Sequence, residues 1–110
     1  MSEAKVYNKL VRDRIPFIIS ADGKKPVFEI LSDGDYGKAI FEKMFEEVAE
    51  YRAAKNADEA VNELVDIYEV LLCTLPYLGF TEEQFKELCD AKRRSRGSFD
   101  ERILLKEVRD

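Results

Sequence analysis

The chain has 110 residues, 45% of them hydrophobic, with a formal net charge of −5, which fits one domain over 1–110 with a modest core. It has no histidine, so imidazole acid–base chemistry and histidine-held metals are excluded, and any general base is a carboxylate, lysine, tyrosine or thiolate. No run of about twenty apolar residues is present to span a membrane, and the opening lacks a basic-then-apolar signal segment, so the expected location is cytoplasmic.

The charge is distributed unevenly. Residues 1–27 carry a net +3, residues 28–91 a net −11, and residues 92–110 again a net +3. An acidic centre of this kind repels a phosphate backbone, which argues against a nucleic-acid polymer as partner. A small polyphosphate suits it better, its charge divided between a bound metal and a few basic side chains. Cys73 and Cys89 lie inside helical patterns, not at a metal-ligand spacing, and are expected to be small buried thiols in a reducing compartment.

In chain order, Ile15 to Ala21 is predicted to be a short helix with Pro16 in its first turn. Asp22-Gly23 signals a turn, and the β-branched and aromatic stretch Val27 to Leu31 reads as a short strand. Ser32-Asp33-Gly34-Asp35 breaks the chain and offers a cap to a long helix from about Tyr36 to Lys55. Ile40, Phe41, Met44, Val48 and Tyr51 form its apolar stripe, with Glu47 and Glu50 together on one flank. Asn56-Ala57-Asp58 separates it from a second long helix, about Glu59 to Leu78, with Asp58 as the expected cap.

The second helix has the more informative pattern. Its expected core stripe is Ala60, Val61, Leu64, Tyr68, Leu71, Leu72 and Leu75. The other side begins as Glu59, Asn62, Glu63 and Asp66 but continues as Val70 and Cys73, so the acidic face is covered. Covered carboxylates need a partner, because an unpaired buried charge is very costly. A divalent cation or a neighbouring arginine would serve. The apolar second half of this helix is expected to sit at a subunit contact, making the protein a dimer or higher homo-oligomer. Pro76 loosens its end and Gly79 stops it. Thr81 and Gln84 form a capping box for a third helix ending near Arg94, after which Arg102 to Val108 is expected to pair with Val27 to Leu31 as a two-stranded β ribbon. The predicted fold is therefore mainly α, a helical bundle with one minor ribbon.

Glu47/Glu50 and Glu63/Asp66 are each i, i+3 pairs, which places two carboxylates on one helical face. Brought together from antiparallel helices, four such groups suit a hard divalent cation.

This pattern, Glu47-x-x-Glu50 followed by Glu63-x-x-Asp66, is similar to the signature of the all-α NTP pyrophosphatases, the MazG-like superfamily. The chain further resembles the branch called phosphoribosyl-ATP pyrophosphohydrolase-like. The resemblance lies in Tyr7-Asn8-Lys9-Leu10-Val11-Arg12-Asp13-Arg14-Ile15-Pro16, in Glu46-Glu47-x-x-Glu50 with Glu63-Leu64-Val65-Asp66, and in Lys92-Arg93-x-x-Arg96-Gly97-x-Phe99. Three blocks in this order are far more specific than one acidic pair. The resemblance implies Mg²⁺-dependent cleavage, with Mn²⁺ as a substitute, of the α–β phosphoanhydride of a nucleotide to a monophosphate and pyrophosphate. It makes Glu47, Glu50, Glu63 and Asp66 the metal ligands, with Glu46 and Glu47 as the catalytic carboxylates and Glu46 orienting or deprotonating the attacking water. Lys9, Arg12, Lys92, Arg93 and Arg96 are the candidate phosphate contacts. Asn62 is a candidate for the base or sugar, although a polar residue in a first helical turn is commonplace. Tyr7 and Tyr51 are either base-stacking groups or, more commonly, core. The alternatives are phosphoribosyl-ATP hydrolysis in histidine biosynthesis and a non-catalytic nucleotide-sensing helical module.

Overall fold

A computed structural model describes residues 4–110, and among them the regular elements are four α-helices: α1 Ile15–Ala21, α2 Asp33–Ala53, α3 Ala57–Tyr77 and α4 Glu82–Arg96. The fold is mainly α. Local chemistry sets each boundary. Ser32, in an extended conformation, accepts a hydrogen bond from the Asp35 N–H at 3.3 Å, and this starts α2 three residues before Tyr36. Asp33 and Asp35 in the first turn also favour the positive end of the helix dipole. Asn56, and not Asp58, caps α3: its Oδ1 accepts from the Glu59 N–H at 2.9 Å, while Glu59 accepts from the Lys55 N–H at 2.9 Å. Asp58 instead lies in the first turn, where its charge is favourable.

Pro76 sits in the last turn of α3 and the helix continues through Tyr77. Gly79 then reverses the chain at φ 85°, and the Phe80 N–H closes the end onto the Leu75 carbonyl at 2.9 Å. The reciprocal Thr81–Gln84 capping box opens α4, which extends two residues past Arg94 to Gly97 at φ 80°.

The links between α2 and α3 are too short for anything but an antiparallel pair. These two helices pack along their length; α4 touches only α3, and α1 packs on no other helix. The face that α2 turns to α3 is not the most apolar one. Ile40 and Glu47 are buried and Lys43 and Met44 half-buried, whereas Phe41, Val48 and Tyr51 are exposed. On α3, Glu63, Asp66 and Ile67 are half-buried and Val70 buried, while Val61, Leu64 and Tyr68 are exposed. The expected core stripes are thus only partly inside: Ile40, Met44, Ala60, Leu71, Leu72 and Leu75 are withdrawn from water and the others are not. Close approach at one end of the pair fits this rotation. Gly37 lies so near Tyr77 that an added Cβ would stand 2.1 Å from the phenol oxygen. Tyr36 meets the same ring edge-on, with centroids 5.9 Å apart.

Three further expectations are corrected. The second half of α3 is covered by its own chain, with Val70 and Leu75 buried, and the open apolar surface belongs to its first half. Cys73 is half-buried, but Cys89 is exposed because α4 shields little; both are free thiols. No β ribbon forms among the described residues, and no backbone hydrogen bond joins Val27–Leu31 to Arg102–Val108. A two-stranded ribbon is marginal in water without a covering layer, and Val27 and Ile30 remain 93% and 90% exposed.

The chain consequently has an accessible surface of 10644 Å², against roughly 6,200 Å² for a compact monomer of its mass. Its radius of gyration is 18.9 Å, against about 13 Å for a compact domain of this length. Because α4 has few tertiary contacts, its cap matters. Thr81→Ala is expected to cost about 1 kcal/mol and to speed hydrogen exchange at the Gln84 amide, measured by NMR, with little change in the first turn of α3.

Candidate metal centre

The α2–α3 seam carries carboxylates at one level of both helices. Glu47 is 5% exposed and is the buried charged residue of the seam. One oxygen each from Glu47, Glu63 and Asp66 lie within 4.8 Å of one another, and the same holds for Glu46, Glu47 and Glu50. Glu47 belongs to both groups and so links the two acidic pairs. The residues expected as ligands therefore gather around Glu47 in two triads, Glu50 on the exposed side and Glu63 and Asp66 across the seam, because a 3.6-residue turn places i and i+3 together and the antiparallel pairing sets the two levels opposite.

Two oxygens in this group, Glu47 Oε2 and Glu63 Oε2, are enclosed and accept no hydrogen bond. Buried carboxylate oxygens without donors are strongly unfavourable. Burial first, and then the adjacent Glu50 and Glu47, push the Glu63 carboxyl up to about 7. A set of closely spaced oxygens, two of them enclosed without donors, fits a hard divalent cation completed by water and phosphate oxygens.

The rest of the cluster is balanced by cations. Lys43 reaches Glu46 at 3.3 Å and Glu47 at 3.2 Å from about one turn earlier on the same helix, with only 16% of its side chain exposed. The N-terminal segment bridges both helices, Lys9 pairing with Glu46 of α2 at 3.1 Å and Arg12 with Asp66 of α3 at 2.7 Å. Asn8 adopts a left-handed φ of 46° just before Lys9, a conformation asparagine tolerates better than most residues. Partial burial opposes ionisation of Glu46, but Lys9 and Lys43 outweigh it and hold this carboxyl below its ordinary value. Each partner raises the pKa of its cation in turn: Glu46 that of Lys9 and Asp66 that of Arg12.

Not every expected site residue joins this centre. Lys92, Arg93 and Arg96 are exposed along α4 and make no ion pair with the cluster; within one chain α4 touches only α3. Asn62 is exposed one residue before Glu63. Tyr7 is exposed and lies beneath the ammonium groups of Lys5 and Lys9, at 5.2 and 5.9 Å from its centroid, so it is not core. Tyr51 is also exposed. Lys43, absent from the expected site set, was detectable from its i+3 and i+4 spacing to Glu46 and Glu47. Burial, reinforced by a hydrogen bond to Glu69, pushes the Cys73 thiol up and leaves it a poor nucleophile.

No protein-family model matches the chain and no solved structure matches it. An uncharacterized protein of Mycolicibacterium smegmatis is 53% identical over 53 residues, which cover 48% of this chain and 54% of that protein. The chain thus spans about half the length of this relative.

The position of Glu63 has a pH signature. Its folded pKa of about 7 lies above the ordinary 4.5, so the folded chain holds this proton more tightly than the unfolded chain does. The associated stability is complete below about 4.5 and is lost as pH rises through about 7. In chelator-treated protein the melting-temperature gap between Glu63→Gln and the parent is expected to widen across that window in favour of the variant. A constant gap would show that Glu63 titrates normally.

Proposed function

We propose that this chain is a divalent-metal-dependent nucleotide pyrophosphohydrolase, which cleaves the α–β phosphoanhydride of a nucleoside triphosphate or related nucleotide. The observation that carries this reading is the pair of enclosed, donorless oxygens of Glu47 and Glu63 within two carboxylate triads that share Glu47. Glu47, Glu50, Glu63 and Asp66 would hold Mg²⁺ or Mn²⁺. Such a cation supplies charge neutralisation for the phosphate oxygens and lowers the pKa of water. In the overall reaction one water adds across the anhydride, giving a nucleoside monophosphate and pyrophosphate.

The chain's own side chains have distinct tasks. Glu46 is kept ionised by Lys9 and Lys43, which suits orienting a water better than accepting its proton, since a depressed pKa makes a weak base. Lys9 and Arg12 pair with carboxylates beside the same centre and are the nearest candidates for phosphate oxygens, Arg12 through its planar fork. Lys92, Arg93 and Arg96 would reach the substrate only from another copy of the chain or after movement of α4. The resemblance in the three sequence blocks supports the reaction class. Phosphoribosyl-ATP is among the substrates to be tried.

One observation favours a second reading. Arg12 already satisfies Asp66 at 2.7 Å, as it would in a nucleotide-sensing module whose carboxylates are paired with protein cations. The two readings separate in a pyrophosphate-release assay over a nucleotide panel with Mg²⁺ or Mn²⁺. Turnover that falls at least about a hundredfold in both Glu47→Gln and Asp66→Asn supports the enzyme, in line with the loss of 3 kcal/mol or so of transition-state stabilisation. Nucleotide binding without turnover supports the module, and turnover unchanged in both variants removes this centre from the chemistry.

A further inference from the structure

The N-terminal segment is tied to the acidic seam at two points and by little else. Residues 4–12 have no helix or strand, and Leu10 alone among residues 4–14 is withdrawn from water. The ties are Lys9 to Glu46 at 3.1 Å and Arg12 to Asp66 at 2.7 Å, with 41% and 53% of the basic side chains exposed. Ion pairs this open contribute little to stability, so the segment can part from either helix at small cost.

The two ties differ in what they hold. Glu46 has both oxygens taken by cations, Oε1 by Lys9 and Oε2 by Lys43. Asp66 shares a triad with Glu47 and Glu63, each of which has an enclosed oxygen without a donor. Two cations touch that triad, Lys43 at Glu47 and Arg12 at Asp66. Lys43 is anchored on the helix that carries its partner and is largely shielded, whereas Arg12 reaches in from outside the helices. A divalent cation in the triad and a guanidinium on Asp66 are like charges on one carboxylate, and at such separations in a partly shielded site they repel. Once off Asp66, Arg12 is still beside the centre, where its planar fork matches a phosphate group better than a point charge does.

We infer, resting on the metal-centre reading, that Arg12 is an exchange cation: paired with Asp66 in the metal-free chain, it releases that carboxylate when the triad takes up a divalent cation and turns its guanidinium to the accompanying phosphate. Metal and polyphosphate are then cooperative ligands, because each favours the conformer in which Arg12 has left Asp66. Lys9, on a carboxylate whose two oxygens are already shared between lysines, has no such competitor and keeps the segment beside α2.

The test uses the full chain, freed of metal with chelator and dialysed, with Mn²⁺ binding followed through the paramagnetic resonance of the free ion. Arg12→Gln is expected to bind Mn²⁺ at least about fivefold more tightly than the parent, the low end of ordinary coupling between two ligands. Arg14→Gln removes an exposed cation of the same segment that pairs with none of these carboxylates, and should stay within about twofold of the parent. With Mg²⁺ saturating, methylenediphosphonate should bind Arg12→Gln at least about fivefold more weakly by calorimetry. The same substitution thus acts with opposite signs on the two ligands, which damage to the fold would not produce. In ¹⁵N NMR the Arg12 Nε–H signal of the metal-free parent should move, on adding Mg²⁺, to the position it has in Asp66→Ala. The inference is overturned, with the metal centre left standing, if the parent binds Mn²⁺ and Arg12→Gln gains nothing, or if Arg14→Gln gains as much. Unchanged diphosphonate binding, or an Arg12 signal that stays in place, overturns it equally. If neither the parent nor Arg12→Gln takes up Mn²⁺ at millimolar concentration, the metal-centre reading falls and this inference falls with it.

Discussion

The buried carboxylate of Glu47, wedged between two antiparallel helices opposite Glu63, constrains the rest of this structure. A charge in that position is tolerated only with compensation, since desolvation of an ion costs several kcal/mol even after relaxation. Lys43 supplies part of it from the same helix and leaves Glu47 Oε2 without a donor. Every other basic residue at the centre comes from the N-terminal segment, which crosses from Glu46 on α2 to Asp66 on α3 through Lys9 and Arg12. That segment has no regular structure of its own beyond α1. Its course over the helices follows from these ion pairs and from the half-burial of Leu10. Both pairs are partly exposed, so each contributes little to stability. Their significance lies in position: they set cations beside the acidic centre.

The same seam explains why the single chain has so little conventional core. Ile40, Val70 and Leu75 are its buried hydrophobic residues. Placing acidic groups in the α2–α3 contact gives the best-packed surface to charge and leaves Phe41, Phe45, Val61 and Leu64 outward. An acidic centre between helices and a hydrophobic face directed elsewhere are two consequences of one helical rotation. The first concentrates charge in a shielded place, and the second leaves apolar side chains open to water.

Much of the local structure was legible in the residues alone. Thr81-x-x-Gln84 marked the start of α4 because a hydroxyl and an amide three residues apart satisfy two free helix N–H groups. The spacing of Glu47/Glu50 and Glu63/Asp66 disclosed one acidic face per helix, since side-chain direction follows from the helical repeat. Boundaries shifted where two caps competed: Asn56 took the role expected of Asp58, and Ser32 opened α2 earlier than the apolar pattern suggested. The β-rich composition of Val27–Leu31 and Arg102–Val108 described segments able to form strands, but strand formation needs a partner, and pairing is not local.

The sequence by itself determined that these helices form, to within a few residues at their ends, which side chains share a face, and that no histidine takes part, because these depend on interactions within a turn or two of chain. Tertiary structure decided which face turns inward. Periodicity identifies the apolar stripe of an isolated helix, yet the neighbour it meets depends on linker length, on close contacts such as Gly37 against Tyr77, and on charge compensation reaching across fifty residues, as from Arg12 to Asp66. Helical repeat is a one-dimensional property, whereas burial is a sum over all three dimensions. For that reason the acidic residues could be grouped from the chain alone, while the enclosure of Glu47 and the exposure of Leu64 emerged only once the helices were placed side by side.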